Sequence, residues 1–121
     1  MIPVILESPF AGDVALNLRY LRACMHRCLV SGEAPFASHG LYTQPGVLDD
    51  GAPADRELGM VAGFAWRILA QRTVVYTDLG ITPGMVAGID HARSIGHDIF
   101  FRQLGSSWDR VDATAFRTRW P

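Results

Sequence analysis

Val74-Val75-Tyr76-Thr77-Asp78-Leu79-Gly80-Ile81-Thr82-Pro83-Gly84-Met85 reads as a buried strand that runs through a short loop into the start of a helix. The β-branched and aromatic residues at its start favour a strand. Thr82 suits an N-cap, Pro83 suits the first helical position, and Gly84 lets a ligand approach the backbone closely. In a parallel α/β sheet such a junction lies at the carboxyl edge of the strands, where anionic or sugar-bearing ligands bind. Ile5-Leu6-Glu7-Ser8-Pro9-Phe10-Ala11-Gly12-Asp13 forms a second junction of the same kind.

Around these two junctions the pattern alternates between strand and helix. Residues 2–7 read as the first strand. Asp13 is the expected N-cap of a helix reaching Ser31, with Val14, Leu18, Leu21, Cys24, Met25, Cys28 and Leu29 as its apolar stripe. Residues 34–37 read as a short second strand that Pro35 weakens. An irregular segment from His39 to Ala52 follows, and loops this long inside one domain are usually functional. A helix from Pro53 to Gln71 is apolar almost all round after its first turn, through Leu58, Met60, Val61, Ala62, Phe64, Ala65, Trp66, Ile68 and Leu69. Such a helix is buried on more than one side, and a second subunit is the expected cover, giving a homodimer or higher homo-oligomer. Strands over 73–77 and 98–102 flank a helix from Pro83 to Ile95. The order predicts a three-layer, Rossmann-like (flavodoxin-like) α/β domain over residues 1–104, with a four-stranded parallel sheet in the order 2-1-3-4. Residues 105–121 are a C-terminal tail.

The 121 residues suffice for one domain, and 49% hydrophobic against 19% charged residues can fill a core. A net charge of −1, with scattered arginines, offers no footprint for duplex nucleic acid or a membrane surface. No apolar run approaches membrane-spanning length, and no basic N-terminal region announces a signal peptide, so the cytosol is the expected location. Cys24 and Cys28 share one helical face, read as buried thiols, and have no companion cluster for a metal. Neither a metal nor a dinucleotide cofactor is expected, since no Gly-x-Gly-x-x-Gly or P-loop occurs.

Ser8-Pro9-Phe10-Ala11-Gly12, then Asn17 and Tyr20, then Gly32 before the second strand, resemble the opening of the nucleoside 2-deoxyribosyltransferase superfamily. Thr82-x-Gly84 entering a helix that ends in Ala92 continues the likeness, which covers roughly residues 2–104. Glu-Ser-Pro, Ala-Ser-His, Leu-Tyr-Thr-Gln and Tyr-Thr-Asp-Leu-Gly resemble an uncharacterised bacterial and phage branch of it. The resemblance implies N-glycosidic chemistry through a glutamate on the helix after the third strand. That glutamate falls on Gly88 here, so the nucleophile is missing where the superfamily keeps it.

Glu7 and Asp78, at the ends of strands adjacent in the proposed order, are the candidate catalytic carboxylates, one binding ribose hydroxyls while the other acts as nucleophile or base. Ser8, Pro9, Phe10, Gly12, Asn17 and Tyr20 are assigned to the ligand through the resemblance. His39 is a candidate partner for a phosphate or base, and Tyr42 and Gln44 suit stacking and base-edge recognition. Arg56 is a candidate phosphate ligand, and Thr82, Gly84 and Met85 form the expected anion site. The expected ligand is a nucleoside, nucleotide or ADP-ribose-like molecule. Its N-glycosidic bond is either cleaved or transferred, or the protein is a non-catalytic sponge for a nucleotide signal, as in phage anti-defence.

Overall fold

Strands β1 (Ile2–Glu7), β2 (Glu33–Phe36), β3 (Arg72–Tyr76) and β4 (Asp98–Arg102) form a wholly parallel sheet in the order β2-β1-β3-β4. They belong to a computed structural model that describes residues 1–110. Helices α1 (Val14–Val30), α2 (Ser38–Leu41), α3 (Pro53–Arg67) and α4 (Pro83–Ser94) connect them, and a 3-10 turn at Trp108–Arg110 follows. The expected fold class and strand order are both present. Among the described residues no helix is long and apolar enough to cross a membrane.

Side-chain alternation along the strands builds two cores. Val4, Leu6, Val74 and Tyr76 face α1 and pack against Tyr20, Leu21, Cys24 and Cys28. Val75 points to the other face and packs against Met85 and Ile89 of α4. The thiols behave as small core residues, and burial pushes the Cys28 thiol up to about 11. Asp13 caps α1 by accepting from the Leu16 amide at 3.1 Å, and Thr82 caps α4 by accepting from the Met85 amide at 3.3 Å. Pro35 is tolerated because β2 is an edge strand.

Two element boundaries differ from the sequence expectation. The segment after β2 is not wholly irregular, because Ser38–Leu41 closes one helical turn. Helix α3 stops at Arg67 rather than Gln71, since the Gln71 amide already donates to the Pro3 carbonyl at 2.9 Å and joins β1. Nor is α3 purely apolar inside: Gly63 and Arg67 are its buried residues, while Leu58, Val61, Ile68 and Leu69 in and just beyond it are more than half exposed.

A carboxylate clasp closes the α1 face. The Asp78 side chain accepts from the Tyr20 hydroxyl at 2.5 Å and from the Leu104 and Gly105 amides at 2.9–3.1 Å. Burial alone would raise its pKa, but these donors outweigh burial and hold the carboxyl below its ordinary value. The clasp pins the chain after β4, and Trp108 then packs edge-on against Tyr20 with ring centroids 5.0 Å apart. The expected tail therefore contacts α1 through Trp108. Phe116, Arg117, Arg119 and Trp120 lie outside the described residues. Asp78→Ala is expected to destabilise the protein by about 1–3 kcal/mol, since it strands several donors at once. Urea unfolding monitored through tryptophan fluorescence measures the loss.

Candidate active site

Glu7 is the last residue of β1 and pairs in register with Val75, so it points to the α3–α4 side of the sheet. A carboxylate there, with its side chain 14% exposed, requires a partner. Arg67 of α3, whose side chain is 2% exposed, donates from Nη2 to Glu7 Oε1. Burial pushes the Glu7 carboxyl up to about 7, and the charge and hydrogen bond of Arg67 restrain the rise. Oε2 has no hydrogen-bond partner among the described residues.

The carboxylate lies directly against the backbone of Gly88. A Cβ at position 88 would fall 2.5 Å from the Glu7 Cδ and 2.8 Å from Oε2, distances that real side chains do not show. While Arg67 holds the Glu7 carboxylate there, a side chain at 88 and the carboxylate compete for one volume.

Around this floor the pocket is lined from three directions. Ser8, itself buried, shares a 2.7 Å hydrogen bond with His39 Nε2, and desolvation pushes His39 down to about 4, so the ring is neutral at neutral pH. Phe36, Tyr42 and Phe64 add aromatic surface. Tyr42 is fixed by accepting from Trp66 Nε1 at 2.9 Å, and Phe36 packs on Trp66 with centroids 5.3 Å apart. Arg56, Asp50 and Asp55 also line it, with Thr82, Gly84 and Met85 at the start of α4. A Cβ at Gly84 would lie 4.0 Å from both an Arg56 guanidinium nitrogen and Thr82 Oγ1, which places that cation at the helix N-terminus.

Of the residues expected at a site, Glu7, Ser8, Phe10, His39, Tyr42, Arg56, Thr82, Gly84 and Met85 line this one pocket. Asp78 does not. Its carboxylate is consumed by the clasp on the α1 face, and the expected convergence with Glu7 fails because the two side chains leave opposite faces of the sheet. Tyr20 is the other half of that clasp and is fully buried. Asn17 sits beneath the first loop, donating from Nδ2 to the Phe10 and Ala11 carbonyls at 2.8 and 3.1 Å. Pro9 and Gly12 shape the same loop without lining the pocket, Gly12 through a φ of 102°, and Gln44 is exposed outside it. Asp55, one of two carboxylates that the sequence offers at the start of α3, lines the pocket and Glu57 does not, while Arg67, Phe36, Phe64 and Asp50 are additions that the structure makes. The signal for Arg67 was a lone cation in an apolar helix, the mirror image of Glu7 at the end of an apolar strand.

A parallel α/β sheet in the order β2-β1-β3-β4, with a pocket over the carboxyl ends of its strands, defines a Rossmann-like fold with a candidate site at the usual edge. A similar solved structure is the 2-deoxyribosyltransferase of the psychrotolerant bacterium Bacillus psychrosaccharolyticus, at a TM-score of 0.62 and 16% identity, covering 86% of this chain and 74% of that one. The chain belongs to the family described as domain of unknown function (DUF7768), whose model matches residues 2–102. No curated protein matches it.

The shared volume of Glu7 and residue 88 has a measurable signature. Gly88→Ala is expected to cost about 1–3 kcal/mol in the native background through overpacking. In a Glu7→Ala background the same change should gain about 1 kcal/mol, because the space is free and alanine is the better helix former. A double-mutant cycle by chemical unfolding checks the reversal of sign.

Proposed function

We propose that this protein binds a nucleoside, nucleotide or ADP-ribose-like ligand in the Glu7 pocket and acts on its N-glycosidic bond, with Glu7 as the working carboxylate. The observation that carries this is the position of the Glu7 carboxylate against Gly88, where the resemblance to 2-deoxyribosyltransferases assigns the nucleophile. The 2-deoxyribosyltransferase fold neighbour supports a nucleoside as the ligand class. On this reading Oε2, free of the Arg67 bond, attacks the anomeric carbon. The C–N bond breaks with its electron pair leaving on the base nitrogen, which takes a proton from water. A second water or an acceptor base then opens the glycosyl ester. The Ser8–His39 pair orients sugar hydroxyls, Phe36 and Tyr42 stack on the base, and Arg56 with the α4 N-terminus receives any phosphate.

A second reading, capture of an intact nucleotide signal, is favoured by the engagement of Glu7 with Arg67, which leaves the carboxylate neutralised at rest. Incubation with a panel of deoxy- and ribonucleotides, followed by chromatography, separates the two. Released base that falls about 10³-fold or more in Glu7→Gln, with ligand affinity largely kept, is the expected result for the enzyme. Intact ligand that co-elutes with the protein supports capture, and no bound ligand from the panel overturns both.

The proposal includes a homodimer built through α3. Leu58, Val61, Ala65 and Ile68 follow one another at spacings of three and four and are all exposed, which forms a continuous apolar seam. Phe64 does not belong to that seam, because it faces the pocket. Light scattering is expected to give twice the mass of one chain, and Ala65→Glu to give a monomer or insoluble protein. A well-behaved wild-type monomer at high concentration overturns it.

A further inference from the structure

Arg67 is the one large side chain that α3 buries completely, and a guanidinium in that position needs compensating partners. Nη2 donates to Glu7 Oε1, and Nη1 stands 3.1 Å from His91 Nδ1. Nε is buried with no hydrogen-bond partner among the described residues, so the orientation is set by these two contacts and by the Phe64 ring, whose centroid lies 5.8 Å from the guanidinium carbon. His91 is itself held, stacked on Phe64 at 4.0 Å with the planes 9° apart. Burial and the neighbouring Arg67 charge lower the His91 pKa, which keeps the ring a neutral acceptor. Phe64 and Arg67 are three apart on α3, and Gly88 and His91 are three apart on α4. The packing of these two helices thus presents one cation to the one carboxylate that sits between them.

We propose that Arg67 is a positioning residue, which His91 and Phe64 hold in place so that it fixes the Glu7 carboxylate over Gly88 and supplies its counter-charge. The groups that face Glu7 leave no other source for that charge among the described residues. Gly88 of α4 has no side chain, Val75 of β3 is apolar, His91 reaches Glu7 only through Arg67, and His39 is engaged with Ser8. Arg56, Asp50 and Asp55 line the same pocket, Arg56 beside Gly84, but Arg67 is the charge that acts on Glu7. The role presupposes the reading of Glu7 as the working carboxylate, yet it leaves a trace that needs no substrate.

The chain contains three glutamates, Glu7, Glu33 and Glu57, so carboxyl carbon NMR of the full protein resolves each titration. The Glu7 signal is assigned by its loss in Glu7→Gln. Wild-type Glu7 is expected to titrate at about 7. Arg67→Met should raise its midpoint by about 1–3 pH units, with Glu57 unmoved, and Arg67→Lys should fall between the two. If Arg67→Met does not fold, Arg67→Gln keeps a polar group without the charge and must show the same rise. An unchanged Glu7 midpoint in either folded neutral variant overturns the proposal. A raised midpoint alongside a failed nucleotide panel leaves Arg67 as the positioning residue and removes only the glycosidic reading.

Discussion

The ion pair between Glu7 and Arg67 is the constraint on which this architecture turns. Neither group is tolerable alone: removing one partner of a buried pair typically costs about 3–5 kcal/mol, a large part of the stability of a domain this size. Glu7 therefore requires α3 to pass across the end of β1, with Arg67 the buried residue of its last turn. The same pair fixes α4, because only a helix with no side chain at position 88 can approach the carboxylate. One electrostatic requirement thereby sets the mutual placement of β1, α3 and α4, and the pocket is the space these three leave open.

The opposite face of the sheet solves a similar problem by different means. Asp78 has no cation partner among the described residues, and its charge is spread over a tyrosine hydroxyl and two backbone amides. Donors of this kind hold the Asp78 carboxyl below its ordinary value, whereas burial pushes Glu7 up to about 7 despite its cation. Two carboxylates from adjacent strands thus hold different protonation tendencies. The one that retains an unbonded oxygen lines the pocket, and the saturated one holds the structure together.

Much of the fold was legible because its signals are local. The Thr82-Pro83 cap, the Asp13 cap and the apolar strand cores each name an element without reference to any other. The site was legible only in part, because it depends on parity and on partners distant in sequence. Glu7 pairs with Val75 inside the sheet, whereas Asp78 lies in the turn after β3, where Tyr20 and the Leu104 and Gly105 amides draw its side chain to the α1 face. Neither direction can be known before those partners are placed. Arg67 was hidden by its neighbours: within Phe64-Ala65-Trp66-Arg67-Ile68-Leu69 the eye follows the apolar run and passes over the charge. Gly88 read as a loss, the absence of a glutamate, when sterically it is what admits Glu7.

The glycine at 88 also governs which neighbouring sequences this protein can reach one substitution at a time. A carboxylate restored on α4 would collide with the one on β1, and a carboxylate first removed from β1 would strand the guanidinium of α3. Each single step toward the arrangement with a glutamate on α4 passes through a less stable protein. Positions 7, 67 and 88 are consequently coupled, and a substitution at any one of them changes what the other two can hold.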